Sequence, residues 1–443
     1  MTNSNKDLYV KSIKKLFLLI VIGCLAAAVV YYFRDTEGPT ISLTPGSGPI
    51  SAKVPLSLSL SDAGTGLNQI EVTAIQGSSR MPLVAKTAPL DAKQIDIELN
   101  LGSLKPKQGP LEIEVVVGDR SIYHLGKGNI SRQSFQLTYD TRPPIISVLS
   151  KAHNFTKGGS GLVTYRLNED VAKTGVQVGE RFFPAFQQET GAYVSLIAYP
   201  YDMPENDFVP RIMAVDLAGN ERQAGIYYRA NNKSFRQRKI NLSKNFLQQK
   251  TPEFEAMVPE AGSELDTFLY VNGEIRKQNR AKMAELSKNT ADTPLWHGSF
   301  IQMRNASALA QFADHRTYYY EGKRVDKAVH LGYDLASVAQ AEIEAANDGE
   351  VVWADYLGIY GLCVVIDHGL GLQTLYAHMS QLDVMPGDVV SKGQKLGRSG
   401  ATGMAGGDHL HFGVFVSGIA VQPLEWWDKH WLKNNIDNKL EAL

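Results

Sequence analysis

A chain of 443 residues with 44% hydrophobic residues is too long for one ordinary core, and it implies about two to four folded domains rather than disorder. Its formal charge of −1 lacks the basic excess of a nucleic-acid binder, so no nucleic acid is expected as a partner. The two cysteines, Cys24 in an apolar segment and Cys363 in "LCVVID", sit in unlike surroundings, and no disulfide is expected between them.

The first element is "KSIKKLFLLIVIGCLAAAVVYYFRDTEGP". Lys6, Lys11, Lys14 and Lys15 precede an unbroken apolar run of 18 residues, Leu16 to Phe33, about the length that spans a bilayer as a helix. Tyr31 and Tyr32 fall where an interfacial aromatic belt would lie. By the positive-inside rule, 1–15 stays in the cytoplasm, 16–33 is a transmembrane anchor, and all that follows is outside. A cleaved signal would have a shorter apolar core, and here the run continues past the alanines of "CLAAAVV". "VIGC" resembles a lipoprotein box, in which the cysteine ends the apolar run, whereas Leu25 to Phe33 prolong it. The expectation is an uncleaved inner-membrane anchor, with lipidation at Cys24 as the alternative.

Two similar segments follow. "DTEGPTISLTP" and "DTRPPIISVLS" each open with Asp-Thr and lead into a short β-branched strand. Alternating stretches such as "VPLSLSLSDAG" and "LVTYRLNED", separated by glycine-rich turns, predict two β-sandwiches, 36–140 and 141–232. "DLAGN" resembles a turn of bacterial immunoglobulin-like domains. Such modules would serve as spacers or bind the wall or a cell-wall protein partner. His124 and His153 are isolated there and are expected on the surface or in loops.

From 233 to 299 the character changes to a helical connector. Ser263 and Asp266 form an N-capping signature ahead of Leu265, Phe268, Leu269, Ile275, Met283 and Leu286, predicting a helix despite Gly273. This segment is open to a second role, packing over the downstream site and restraining it.

The last part, 300–432, reads as antiparallel β: glycines punctuate short strands, with hairpins expected at "DHGLGLQT" and "MPGDVVSKGQKLGRSG". In "GDHLHFGVF" the alternation of a strand puts His409 and His411 on one face and Leu410, Phe412 and Val414 on the other. "AVHLGYDLA" adds His330 and Asp334, and "TLYAHMS" adds His378. Each alone is a weak signal that a structural histidine would also give. Together, two imidazoles and one carboxylate make the ligand set of a catalytic zinc site with an open position, and two further histidines could move protons beside it. Gly332 and the lack of an apolar helical stripe exclude the helical H-E-x-x-H arrangement.

"HLGYD", "YAHMS" and "HLHF", in this order and with "GEVVWA", "PGDVVSKGQKLGRSGATG" and "VQPLEW" around them, resemble the lysostaphin/LytM-type zinc endopeptidases of peptidoglycan over about the last third of the chain. The resemblance implies one Zn2+ held by His330, Asp334 and His411, with His378 and His409 as catalytic histidines. Which of those two is the base stays open; His409 is expected, because its strand neighbour is a ligand. The chain departs from the family at Phe312-Ala313, where a glycine is usual ahead of the arginine at Arg316, and in the loop "GMAGGDHLH". His368, His297, His315 and His430 are expected to be structural or unpartnered, and Cys363 a small core residue.

The reading is thus a mainly β chain: an antiparallel peptidase domain preceded by two immunoglobulin-like sandwiches, a helical connector and one transmembrane helix. Its expected activity is hydrolysis of peptidoglycan peptide cross-links at a membrane, with the site facing the periplasm or cell wall. The alternatives are a catalytically silent activator of a cell-wall amidase, disfavoured by retention of all five positions, and a scaffold. The bond, D-alanine to diaminopimelate or lysine or one within a glycine bridge, stays open.

Overall fold

The computed structural model describes residues 3–259 and 262–443; Met1 and Thr2 of the expected cytoplasmic stretch, and Glu260 and Ala261 of the connector, lie outside the described residues. The chain is mainly β and its sheets are mostly antiparallel. It divides into two compact units, Met1–Pro143 with Val215–Glu221, and Pro144–Ala214 with Arg222–Leu443.

In the first unit, helix α1 (Asn3–Tyr32) contains a 24-residue stretch, Tyr9–Tyr32, of mean hydropathy 2.4, long and apolar enough to cross a membrane. A three-stranded and a five-stranded sheet follow. In "LSLSLS", Leu56, Leu58 and Leu60 are buried and the serines face outward, as the two-residue period of a half-buried strand dictates. Ile70, Val72, Ile113, Val115 and Val117 complete that core.

The second unit begins with two four-stranded sheets and a two-stranded one. Phe155, Tyr165, Phe183 and Phe208 fill their core. His153 is a correction to expectation: it is buried in the strand His153–Thr156, its Nδ1 donating to the Tyr227 carbonyl (2.8 Å) and its Nε2 meeting the Ser150 hydroxyl (2.8 Å). A lone histidine in a sequence gives no sign that such partners await it.

The segment after residue 232 is not helical throughout. Gln237–Asn241 is a strand that pairs in parallel with Asp314–Tyr320. Ser243 and Ser263 then cap Lys244–Lys250 and helix α2 (Glu264–Tyr270), each side-chain oxygen accepting a backbone N–H. A widened turn at Val271–Ile275 carries Gly273 and leads directly into helix α3 (Arg276–Leu286). Phe268, Ile275 and Met283 bury one face of this rod.

Seven strands build the site, numbered here in chain order: β1 (Asp314–Tyr320), β2 (Lys323–His330), β3 (Tyr333–Ala336), β4 (Gly349–Tyr356), β5 (Leu362–Asp367), β6 (Leu372–Met379) and β7 (Leu410–Val416). Strands β3, β7, β6, β5 and β4 are consecutive neighbours in an eight-stranded sheet, while β1 and β2 pair in a smaller one. Strands β6 and β7 are buried at every position, so both faces are covered. The expected hairpin at "MPGDVVSKGQKLGRSG" is not formed. Val389–Val390 pairs with β4 and Lys395–Arg398 with Glu342–Glu344 and Gln381–Leu382, each half burying its own apolar residue, Val390 or Leu396. Near the C-terminus, Glu425 accepts the Ser160 N–H (2.8 Å) and Lys439 donates to the Leu162 carbonyl (2.9 Å).

Candidate active site

Register brings the site together. Asp334 on β3 stands opposite His411 on β7, Ala377 on β6 flanks His411 on the other side, and His330 at the end of β2 faces Asp314 on β1. His409, just before β7, bridges to Gly400, and His378 lies near the end of β6. The tight link between His330 and Asp334 needs Gly332: a Cβ there would come within 2.6 Å of the His411 ring and the Phe412 carbonyl oxygen. His378 holds a positive φ of 64°, a conformation a side chain adopts only under constraint from its surroundings.

Three donor atoms converge. His330 Nε2 lies 2.8 Å from Asp334 Oδ1 and 2.9 Å from His411 Nδ1, and His411 Nδ1 lies 2.9 Å from Asp334 Oδ1. All three residues are buried. His330 Nδ1 donates to the Gln311 carbonyl (2.9 Å), which orients the ring with Nε2 toward the cluster. Burial holds the His411 imidazole neutral, its pKa falling to about 4. Burial also opposes ionisation of Asp334, but the positive charge and hydrogen bond of His330 outweigh it, and the carboxyl is held well below the usual range. Two imidazole nitrogens and a carboxylate oxygen thus face one point. A tetrahedral ion with bonds of about 2.0–2.1 Å spaces its ligand atoms by roughly 3.3 Å, so the donor set fits a metal with a small relaxation.

The remaining two histidines are set alike. His378 Nδ1 donates to the Thr402 carbonyl (2.9 Å) and His409 Nδ1 to the Gly407 carbonyl (2.8 Å). In the neutral form each therefore carries its lone pair on Nε2. Their rings are 4.8 Å apart, and His409 Nε2 is 3.6 Å from Asp334 Oδ1. Burial, then the neighbouring His409 and His411, push the His378 pKa well below 6.5. Burial works the same way on His409, but Asp334 overcomes it and the pKa is raised. Two imidazoles with opposed shifts over one cavity suit proton exchange.

The arrangement extends beyond the five positions, to residues of which the sequence reading had named Arg316 alone. The guanidinium of Arg236 donates to both oxygens of buried Asp314 (2.9 and 2.7 Å), which in turn accepts the Gln311 N–H (3.3 Å), fixing the carbonyl that orients His330. Arg316 donates to Asp334 Oδ2 (3.1 Å). The Tyr360 ring lies 5.6 Å from that of His411. Arg236 has no local signature, since it is 78 residues from Asp314 and only the fold joins them.

All five histidine and aspartate positions line one cavity of about 140 Å³, together with Arg276, Arg280, Arg316, Tyr360 and Met404. A second cavity of about 310 Å³, walled by Leu242, Phe246, Phe268 and Tyr318, shares Arg316, Met404 and Gly406 with it. The segment ahead of residue 300 packs here. Asn279 accepts the Ile359 N–H (2.9 Å), Glu253 accepts the Gly403 N–H (2.7 Å), and Lys250 donates to the Ala401 carbonyl. It therefore holds two loops flanking the site, 357–361 and 401–406. Elsewhere, His368 is buried with both nitrogens engaged, by the Asp348 carbonyl (2.6 Å) and the Thr374 hydroxyl (2.8 Å). Exposed His297 pairs with Asp348, the His315 ring lies edge-on to Tyr201 and tilted against Phe235, and Cys363 is a fully buried free thiol.

A β-sheet domain with paired histidines and an aspartate in this register is the arrangement that the lysostaphin/LytM resemblance led one to expect. Residues 328–423 match Peptidase family M23, and the C-terminal part of the chain is a domain of that family. The peptidoglycan DD-endopeptidase ShyA of Vibrio cholerae is 29% identical over 164 residues, 37% of this chain and 35% of that protein. The murein hydrolase activator EnvC of Escherichia coli K12 is 39% identical over 95 residues, 21% of this chain and 23% of that protein. The chain thus spans about a third or less of these relatives' length. The catalytic domain of lysostaphin from Staphylococcus simulans is matched with a TM-score of 0.25 at 25% identity, over 30% of this chain and 98% of that one.

Proposed function

We propose that the protein is a membrane-anchored zinc endopeptidase that hydrolyses peptide cross-links of peptidoglycan. The observation that carries this reading is the convergence of three donor atoms, from His330, Asp334 and His411, beside two further histidines in one cavity. His330, Asp334 and His411 would hold the ion. When bound, zinc supplies Lewis acidity toward a carbonyl and acidifies water. His409, raised in basicity by Asp334, takes the proton of the attacking water and returns it to the leaving amine. His378, held neutral, contributes a hydrogen bond to the water or to the developing oxyanion, fixed in place by Thr402. Arg316, donating to Oδ2, keeps the Asp334 carboxylate aimed at the cluster.

In this reading, 16–33 anchors the chain, the segments 36–140 and 141–232 are immunoglobulin-like spacers, 233–299 connects, and 300–432 cuts, on the outer face of the inner membrane. A relative named as a DD-endopeptidase supports the activity, and one named as a hydrolase activator supports the alternative of a silent regulator. All five positions are present here, which favours the enzyme. The test is incubation of the full chain in detergent with zinc and purified sacculi, with mass spectrometry of released muropeptides and His411→Ala as control. New peptide ends that vanish in the control establish the endopeptidase. No release by folded, zinc-loaded protein, with stimulation of an added amidase, establishes the regulator.

A further inference from the structure

The candidate active-site cavity holds more positive charge than its own carboxylate accounts for. Three guanidiniums, Arg276, Arg280 and Arg316, share it with a single carboxylate, Asp334. Arg316 is spent on that group, 3.1 Å from Oδ2. Arg276 meets only neutral oxygens of its own helical rod: its Nη2 donates to Asn272 Oδ1 (2.7 Å) and its Nε to the Asn272 carbonyl (3.2 Å). Neither Arg276 nor Arg280 has a carboxylate ion-pair partner among the described residues. Burial weighs against the charge of half-buried Arg276, and Arg280 and Arg316 add like-charge repulsion. Arg280 likewise meets a neutral group, the Tyr201 hydroxyl, and two like charges held together in the cavity with only neutral partners are the arrangement that a carboxylate relieves by charge-assisted hydrogen bonds.

The three cross-link chemistries differ in this respect. Where D-alanine acylates the D-centre of diaminopimelate, the carbon bearing the scissile nitrogen also bears a carboxylate. Where it acylates a lysine side chain, that carbon is a methylene, and within a glycine bridge no carboxylate is present. Only the first places an anion next to the bond being cut. We propose that Arg276 and Arg280, on the helix ahead of the peptidase domain, bind the free carboxylate on the amine side of the scissile amide and so select amine-side residues that carry one. This rests on the endopeptidase reading, and it makes the connector part of the substrate site.

The probes are two cross-linked tetrapeptide dimers, identical except that the carboxyl beside the scissile nitrogen is free in one and amidated in the other. The zinc-loaded full chain is expected to favour the free acid by roughly tenfold or more in kcat/KM, mainly through KM, and Arg276→Gln with Arg280→Gln to abolish that preference while metal content is kept. Arg276→Lys should retain part of it. Equal cleavage of the two dimers by the wild type, or an unchanged ratio in the double variant, overturns the proposal. Binding of both dimers to the His409→Ala chain, with the arginines intact or replaced, is measured by calorimetry in parallel. If the wild type cuts neither dimer yet arginine-dependent preference for the free acid persists in binding, the hydrolase reading falls and this one stands. Equal binding of the two dimers overturns it.

Discussion

Buried histidines occur in two settings in this chain. His153, in the second sandwich, and His368, at the turn after β5, each commit both ring nitrogens to protein partners. Burial pushes both to a pKa of about 4, so they are neutral packing groups. His330, His378 and His409 each commit one nitrogen, to the carbonyls of Gln311, Thr402 and Gly407, and turn the other toward one cavity. Burial alone does not separate a structural imidazole from a chemical one. The unspent nitrogen does.

The sharpest way to break this contrast is to remove a donor from the three-atom cluster. Asp334→Ala or His411→Ala is expected to abolish stoichiometric metal binding and lower muropeptide release by at least about 10³-fold, read by metal analysis and mass spectrometry. His378→Ala and His409→Ala should keep the metal and lose roughly 10²–10⁴-fold in cleavage rate. Loss of metal in either would move that histidine into the cluster. Asp314→Asn, which touches no donor, is expected to weaken metal affinity by about 10–100-fold through the Gln311 carbonyl and His330, measured by competition with a chelator. His368→Ala should leave cleavage per folded molecule near wild type and cost about 1–3 kcal/mol of stability in thermal unfolding, because its two partners are stranded. A rate loss matching that of His409→Ala would erase the distinction.

The sequence made the cluster legible because its chemistry is local. Strand alternation alone put His409 and His411 on one face, and Gly332 already argued for a turn between His330 and Asp334. The N-capping serine of α2 and the apolar stripe behind it were equally readable, and they are observed. What stayed hidden is long-range. Arg236 and Asp314, Asn279 and the Ile359 amide, and Arg276 and the histidines meet only through tertiary packing, and no spacing announces them. The hairpin expected between Val389 and Arg398 failed for the same reason: turn residues specify a reversal, while the choice of partner strand belongs to the surrounding sheet. His153 was misplaced because a carbonyl 74 residues away decides that it is buried.

The contact between Glu425 and the Ser160 amide makes the seam between the second sandwich and the peptidase domain a proton-storing joint. Burial raises the Glu425 pKa from 4.5 to about 8, so the folded chain retains a proton there that the unfolded chain has released. A raised folded pKa makes its stabilising contribution fully present below about pH 4.5 and progressively lost as pH climbs through about 8. Glu425→Gln, a permanent mimic of the protonated acid, is expected to flatten the fall of the melting temperature between pH 6 and pH 9 by a few degrees. Alkalinity would thus loosen the mounting of the domain before it touches the histidine cluster.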